Sequence, residues 1–286
     1  MNRSQSNHLN VAALTHAGMV GKNNEDRYTV SSYTGQEDRP VLFAIISDGI
    51  GGHRAGEVAA ELTVNYILQK ISESDGKRPL EIMENAIHSA SQAIASRSAS
   101  QEDQYGMGAT CACLWVEGHR LYTAYIGDSR IYLIRDGKIQ RLTVDHTWVQ
   151  EAIEKGVITP EQARDHPNVH VIRRHLGSVE LPDVDFRLRL SPEDDDEQAI
   201  KNQGAFLKPG DILLMCSDGL TDLIWDDEIL RLVTTRNTLK SAAGDLVAQA
   251  NERGGYDNIT VVLIGVPREK PAGPQKKKGF LHDLLG

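Results

Sequence analysis

The sequence has few cysteines, and their placement excludes a cysteine-based site. Three cysteines occur in 286 residues, at positions 111, 113 and 216. Cys111 and Cys113 share one face of a strand predicted over residues 109–116, and Cys216 lies in another apolar run, so we predict buried free thiols. A thiolate metal site would need further Cys or His residues at suitable spacing, which the sequence does not offer.

The chain also lacks long apolar runs and an excess of positive charge. No run approaches the roughly 20 apolar residues that span a membrane, and residues 1–10 are polar, without the apolar core of a secretory leader. The net charge is −9, from 31 Lys and Arg against 40 Asp and Glu, which argues against non-specific nucleic-acid binding. We therefore expect a cytoplasmic protein, monomeric, with neither a membrane nor a nucleic acid as partner.

What the sequence does contain is a set of apolar stretches that end at, or begin just after, an aspartate. The stretches are residues 41–46, 121–126, 212–216 and 259–266, and the aspartates are Asp48, Asp128, Asp218 and Asp257. A carboxylate at the end of a buried strand is costly to desolvate and needs a positive partner. No matching set of Lys or Arg accompanies these ends. Because carboxylates suit Mg²⁺ or Mn²⁺, the pattern predicts a metal-dependent enzyme.

Strand and helix patterns both occur along one continuous body from about residue 9 to residue 266. Asp136-Gly137 predicts a hairpin turn between residues 131–134 and 138–142. Apolar spacing predicts helices over residues 55–71, 80–96, 147–155 and 241–253. Since strands cluster as hairpins and helices come in pairs, we predict an α+β layered fold and not parallel βαβ alternation.

The two ends and one internal segment have compositions typical of solvated chain. Residues 267–279 are rich in Pro, Gly and Lys, so we divide the chain into a flexible N-terminus (1–10), one domain (11–267) and a flexible basic tail (268–286). Residues 193–197 are consecutive acids. We interpret them as a solvated loop, because adjacent side chains cannot all converge on one ion.

A glycine-rich turn follows the first of the four aspartates, in Asp48-Gly49-Ile50-Gly51-Gly52-His53. A nucleotide-cradling loop is one interpretation of this turn. It lacks the Lys-Ser/Thr ending of a P-loop and the spacing of a dinucleotide-binding loop.

Taken in order, the motifs resemble one known family. They are Asn23-Asn24-Glu25-Asp26, Asp48 to His53, Gly108-Ala109-Thr110, Gly127-Asp128-Ser129-Arg130, Asp145-His146-Thr147, Cys216 to Asp222, and Asp257-Asn258-Ile259-Thr260. This series resembles the metal-dependent protein phosphatases of type 2C, particularly their bacterial branch, over residues 12–266. The resemblance implies a four-layer α-β-β-α sandwich with two central antiparallel sheets and a metal centre at one end.

The resemblance also implies roles for single residues in holding two Mn²⁺ or Mg²⁺ ions. Asp48 would bridge both ions, Asp218 and Asp257 would complete the first site, and Glu25 and the Gly49 carbonyl would serve the second. Two such ions lower the pKa of a shared water, and the resulting hydroxide would attack phosphorus in line.

Further positions matching the family concern a third ion and the orientation of the water. Asp128 and Asp222 would hold a weaker third ion, and Asp26 would orient a metal-bound water. For the proton that the leaving alkoxide needs, His53 and a metal-bound water are both open as general acids.

One departure from the family pattern lies where a phosphate-binding arginine is usual. That position is Gly21, with Lys22 beside it. Lysine attracts phosphate as a point charge without the bidentate fork of arginine, so we expect weaker substrate binding with the chemistry retained.

Four histidines and two arginines fall in a region that resembles the family's mobile flap. We interpret these histidines as surface or packing residues and the arginines as solvated charges or as a guide for a phosphopeptide. They are His146, His166, His170, His175, Arg173 and Arg174.

These features lead to one hypothesis and two rivals. The hypothesis is a protein phosphatase acting on phosphoserine and phosphothreonine in phosphorylated proteins and opposing a bacterial Ser/Thr kinase. A regulator that binds phosphoproteins without turnover is the first rival, and Gly21 motivates it. A two-metal nuclease is the second, and the negative charge disfavours it.

Overall fold

The computed structural model describes residues 1–21, 23–51 and 55–268, except for the Arg164 side chain. Its strands are β1 (Asn2–Ser4), β2 (Asn10–His16), β3 (Arg27–Thr34), β4 (Pro40–Ser47), β5 (Gly49–Ile50), β6 (Gly108–Ala109), β7 (Cys111–Glu117), β8 (Arg120–Ile126), β9 (Arg130–Arg135), β10 (Lys138–Arg141), β11 (Ala205–Phe206), β12 (Ile212–Cys216) and β13 (Ile259–Gly265). Its helices are α1 (Ala55–Glu73), α2 (Pro79–Ser100), α3 (Trp148–Glu154), α4 (Pro160–Arg164), α5 (Asp196–Lys201), α6 (Asp218–Thr221), α7 (Asp226–Thr235) and α8 (Leu239–Glu252).

Two antiparallel sheets stack between two layers of helices. One sheet has the order β1-β3-β4-β7-β8-β11 and the other β10-β9-β12-β13-β2. A core of residues from both sheets, such as Leu114 and Met215, fills the space between them. A second core joins the first sheet to α1 and α2, and a third joins the second sheet to α7 and α8. The predicted α+β sandwich of four layers is confirmed.

The central strands are apolar along their whole length because both of their faces are buried. In β4, Leu42 and Ile46 face the core between the sheets, whereas Phe43 and Ile45 face α1 and α2. A strand that contributes to two cores cannot alternate apolar with polar residues, which explains the continuous run in the sequence.

The predicted local elements are present, with end points that differ by a few residues. The four predicted helices correspond to α1, α2, α3 and α8. The predicted hairpin joins β9 to β10. Its turn residues Asp136 and Gly137 have φ angles of 52° and 72°, the backbone of a two-residue turn that matches strand twist.

The N-terminus departs from the expectation of a flexible segment. Asn2–Ser4 pair with Thr34, Tyr33 and Ser32 as the edge strand of the six-stranded sheet. Backbone hydrogen bonds hold this segment despite its polar side chains, which is why composition alone gave the wrong expectation. Apart from Arg268, the predicted tail lies outside the described residues. No helix among the described residues has the length and apolar character needed to cross a membrane.

The acidic segment is more ordered than the predicted solvated loop. Asp195 accepts a hydrogen bond from the Gln198 N–H at 2.8 Å and so caps the N-terminus of α5. The Asp194 carboxylate accepts from the Leu190 N–H at 2.8 Å. Asp196 pairs with Arg187 at 3.2 Å. These acids therefore stabilise a turn and a helix start.

Candidate metal centre

The strand ends that carry the predicted aspartates meet at one edge of the sandwich. Antiparallel register places Arg27 opposite Ser47, Cys111 opposite Ile126, and Cys216 opposite Val261. The residues that precede or follow these pairs therefore converge. They line a cleft of about 850 Å³ whose walls are Gly21, Asn23, Glu25, Asp48, Gly49, Gly51, Ile172, Asp218, Asp257 and Asn258.

Thr110 fixes the end of β4, from which Asp48 extends. The Asp48 N–H donates to Thr110 Oγ1 at 3.0 Å, and the Thr110 N–H donates back to the Asp48 carbonyl at 2.8 Å. Thr110 Oγ1 also lies 2.9 Å from Ser129 Oγ. Since Thr110 is fully buried, these bonds hold the backbone around Asp48 and the turn beside Asp128 in one arrangement.

Asn258 holds the Asn-Asn-Glu-Asp segment against the start of β13. Its Oδ1 accepts from the Glu25 N–H at 2.7 Å. Its Nδ2 donates to the carbonyls of Asn23, at 3.0 Å, and Ala17, at 3.2 Å. One buried amide thus connects residues more than 230 positions apart, and it places Glu25 beside Asp257.

Two glycines allow the second proposed pair of ligands to approach each other. A Cβ on Gly56 would lie 2.4 Å from Glu25 Oε2 and 2.7 Å from the Gly49 carbonyl oxygen. A Cβ on Gly49 would lie 2.1 Å from the Gly56 carbonyl oxygen. Both positions must be glycine for the Glu25 carboxylate and the Gly49 carbonyl to lie against the start of α1.

Carboxylates crowd this cleft closely enough to perturb one another. Burial raises the pKa of Asp48 well above its usual range, and the charges of Asp26 and Asp218 raise it further. Burial likewise raises the pKa of Asp218, together with the charges of Asp128 and Asp222. Burial raises the pKa of Asp26 to about 6 and that of Asp128 to about 7. Bringing these carboxylates together is unfavourable unless a cation neutralises them.

Nearby arginines pair with other acids. Arg27 forms its ion pair with Glu57. Arg130 forms a bidentate pair with Asp145, with its Nη2 at 2.7 Å from Asp145 Oδ2. Because these guanidinium groups pair with other acids, neither of them forms an ion pair with Asp48 or Asp218.

A buried histidine organises the turn that carries Asp128. His146 Nδ1 accepts from the Gly127 N–H at 3.0 Å, its Nε2 lies 3.0 Å from Asp185 Oδ2, and its ring stacks on Tyr125 with centroids 5.4 Å apart. Burial lowers the pKa of His146. The expectation of a packing histidine agrees with this position, and the surface alternative does not.

Asp222 lies near Asp218, as its place at the end of α6 requires. An unexpected side chain joins them, because His170 Nδ1 is 3.5 Å from Asp222 Oδ2. Ligand atoms of His170, Asp218 and Asp222 all lie within 4.8 Å of one another. This contact was not predictable from the sequence, because residues 170 and 222 are far apart and no motif contains both of them.

Two predicted residues fall outside the described part of the chain. They are Lys22, proposed to attract phosphate, and His53, proposed as a general acid. Gly21 is described. It is exposed at the cleft, and a Cβ there would meet no atom within 4 Å.

The residues of the cleft fit divalent cations. The donors are carboxylate and carbonyl oxygens, which are the ligands of Mg²⁺ and Mn²⁺. Asp26 Oδ1 and Asp218 Oδ1 are buried, with no hydrogen-bond partner among the described residues. A buried acceptor without a donor is costly, and a cation beside it would offset that cost.

Comparisons with known proteins identify relatives of this chain. The family model for protein phosphatase 2C matches residues 15–152. The serine/threonine protein phosphatase PstP of Mycobacterium tuberculosis is 36% identical over 258 residues, which cover 90% of this chain and 45% of the relative. The chain thus spans about half the length of that relative. Protein phosphatase PhpP of Streptococcus pneumoniae is 34% identical over 271 residues, covering 91% of this chain and 99% of the relative.

A solved structure shows the same architecture with metal present. It is the catalytic domain of the serine/threonine protein phosphatase PstP in complex with two manganese ions. It aligns with a TM-score of 0.71 at 33% identity, covering 90% of this chain and 97% of that one.

Proposed function

The chain belongs to the protein phosphatase 2C family of metal-dependent Ser/Thr phosphatases, and on that premise we propose that it hydrolyses phosphoserine and phosphothreonine in proteins. We propose further that it opposes a Ser/Thr kinase, acting as a monomer in the cytoplasm. The observation that carries the proposal is the convergence of Glu25, Asp48, Asp218 and Asp257 on one open cleft.

The ligands of the cleft would serve two core cations and a neighbouring third. Asp48, which lines the cleft together with the other ligands, would contact both core ions. Asp218 and Asp257 would hold one ion, and Glu25 with the Gly49 carbonyl would hold the other. When bound, the two cations would lower the pKa of a shared water and neutralise charge on the phosphoryl oxygens. Asp128 and Asp222 are proposed for the third, weaker ion.

Asp26 is buried beside Ser217 and would orient the attacking water. It is 1% exposed, and Ser217 Oγ donates to its Oδ2 at 2.7 Å. This contact fixes one carboxylate oxygen and leaves Oδ1 to accept another hydrogen bond. Phosphoryl transfer depends mainly on positioning and charge, so a rigid acceptor at this place suits the reaction.

A covalent route through cysteine is disfavoured by the thiols themselves. Cys111, Cys113 and Cys216 are fully buried in strands. Burial raises the pKa of the Cys113 and Cys216 thiols, so they remain protonated and unreactive at neutral pH. Direct attack by water is the route that the remaining chemistry supports.

A phosphoprotein-binding regulator is the second candidate, and Gly21 is the observation that favours it. Gly21 lines the cleft where the family usually places a phosphate-binding arginine. If the cleft binds phosphate more weakly, the protein would hydrolyse phosphorylated substrates slowly. The dense carboxylate cluster favours the enzyme instead, because binding alone does not require so many metal ligands.

Hydrolysis of a phosphothreonine peptide across a Mn²⁺ titration tests the proposal. We expect phosphate release that depends on Mn²⁺, stops with a chelator, and is lost in Asp48→Asn. Asp165→Asn, which removes an exposed acid that belongs to none of the cleft motifs, should behave as the parent protein. Absence of turnover at every Mn²⁺ concentration, with thermal unfolding showing folded protein, would favour the regulator.

A further inference from the structure

His170 extends from the segment after α4 toward the carboxylates of α6. Its side chain is 67% exposed, yet its Nδ1 lies 3.5 Å from Asp222 Oδ2. A carboxylate oxygen of Asp218 completes a group whose members are all within 4.8 Å of one another. Ligand atoms about 2.1 Å from one ion lie about 3–4.2 Å apart, so the three side chains need move little to share a cation.

Backbone hydrogen bonds and a ring contact hold the segment on either side of His170 in place. The Trp148 N–H donates to the Val171 carbonyl at 2.9 Å, and the Arg173 N–H donates to the His146 carbonyl at 2.7 Å. Ahead of it, His166 stacks on Trp148 with centroids 4.6 Å apart. The segment thus presents His170 toward Asp222 from a fixed base.

The Asp218 carboxylate lies within reach of the His170–Asp222 ion pair as well. Asp218 has a fully buried Oδ1 with no hydrogen-bond partner among the described residues. An imidazole beside two close carboxylates, one of them carrying an unsatisfied buried oxygen, is a donor set for a metal ion.

We propose that His170 supplies a nitrogen ligand to a cation held by Asp218 and Asp222. Carboxylate-only sites suit Mg²⁺ and Ca²⁺, whereas an added imidazole favours first-row transition ions such as Mn²⁺ or Zn²⁺. This cation is the third, weaker ion proposed above for Asp128 and Asp222. It adjoins the core ions through Asp218, and the inference rests on that proposed metal centre. Coordination would also fix Ile172, two residues along, which lines the substrate cleft.

Pulsed electron paramagnetic resonance of the Mn²⁺-saturated protein tests this directly, because it detects ¹⁴N bound to manganese without any turnover. We expect imidazole nitrogen modulation in the parent protein and its loss in His170→Gln. Equilibrium dialysis should show that the weakest Mn²⁺ equivalent loses about tenfold or more in affinity in this variant, since even residues behind metal ligands contribute 10–100-fold. The affinity for Mg²⁺ should change less.

His119→Gln is the control, because it alters a histidine between β7 and β8, at the far end of β8 from Asp128, and it should keep the nitrogen signal. A parent protein without nitrogen modulation, or a His170→Gln variant with the parent's signal and affinity, would overturn the proposal. Because no substrate is used, a nitrogen signal that depends on His170 would stand even if the phosphopeptide assay failed.

Discussion

Ser217 and Asp26 form a buried hydrogen bond that joins the end of β12 to the start of β3 across 191 residues of sequence. Ser217 Oγ donates to Asp26 Oδ2 at 2.7 Å and accepts from the Thr260 N–H at 3.0 Å. Both side chains are at most 1% exposed. The Ser217 hydroxyl therefore accepts from a backbone N–H of the five-stranded sheet. It also orients the carboxylate of Asp26, which directly precedes β3 of the six-stranded sheet.

Replacing this hydroxyl should affect stability and turnover together. Ser217→Ala leaves the Thr260 N–H and an Asp26 oxygen without their partner, which costs about 1–3 kcal/mol in the free energy of unfolding. We also expect slower phosphopeptide turnover, because Asp26 loses its fixed orientation. Urea unfolding and steady-state kinetics measure both effects. Ser89→Ala, on the exposed face of α2, is the control and should change unfolding by less than about 0.5 kcal/mol. Equal stability of both variants would contradict the role of Ser217.

The contact between Ser217 and Asp26 also illustrates which features the sequence alone did not predict. The apolar runs and the aspartates at their ends predicted both the strands and the carboxylate cluster. The links between strand ends were not predictable, because Ser217, Thr110 and Asn258 act through contacts across the sheets. The short motifs identified these three residues but did not predict which atoms their side chains contact.

Gly56 offers a test of the second proposed cation site. In Gly56→Ala the new Cβ would lie 2.4 Å from Glu25 Oε2, so the Glu25 carboxylate and the Gly49 carbonyl must move apart from α1. Such overpacking costs about 1–3 kcal/mol. We expect the affinity for one of the two core Mn²⁺ ions to fall about tenfold or more, measured by isothermal titration calorimetry.

Gly244 provides the matched control for this change. It is also a helical glycine, in α8, and a Cβ there would meet no atom within 4 Å. Gly244→Ala should stabilise the protein by about 0.5–1 kcal/mol and leave Mn²⁺ binding unchanged. If both alanine variants bound Mn²⁺ like the parent protein, the assignment of Glu25 and Gly49 to a cation site would be wrong.

Removing one carboxylate from the cluster should stabilise the metal-free protein. Asp48 is surrounded by Asp26, Asp128, Asp218 and Asp257, whose charges raise its pKa. In chelator at pH 8, we expect Asp48→Asn to unfold at a higher urea concentration than the parent protein. Its free energy of unfolding should be greater by on the order of 1–2 kcal/mol, which corresponds to about one pKa unit. With Mn²⁺ the order should reverse, because the parent protein binds the ion more tightly.

The pH dependence of that difference follows from the same repulsion. Burial and the charges of Asp26 and Asp218 raise the folded-state pKa of Asp48 well above its usual value, whereas an asparagine there does not titrate. An acid with a raised folded pKa contributes stability that is fully present below its unfolded pKa and is lost as pH rises through its folded pKa. The advantage of Asp48→Asn in chelator should therefore grow from pH 5 to pH 8. Buried His146 acts in the opposite direction but equally in both proteins, so it cancels. A constant difference would show that the cluster is not repulsive.

One segment that was expected to be flexible, and one histidine that was left open between the surface and the interior, were decided by contacts that composition does not record. Asn2–Ser4 are polar, yet their backbone completes the edge of a sheet. His146 was equally compatible with the surface, until the Gly127 N–H and Asp185 gave both of its ring nitrogens partners in the interior. Polar residues of this kind can be placed only once the partner strands are known.

Gly21 allows the missing arginine to be restored. It is exposed beside the cleft, and a side chain there meets open space, although its φ of 74° costs any other residue about 1–2 kcal/mol. An arginine forming a charge-assisted hydrogen bond to phosphate contributes about 1.5–3 kcal/mol, so Gly21→Arg should lower KM for a phosphothreonine peptide about 10–100-fold and leave kcat nearly unchanged. Gly21→Ala carries the same backbone cost without the cation, and its KM should stay at the parent value. A KM for Gly21→Arg equal to that of Gly21→Ala would mean that phosphate is held by other residues of this chain.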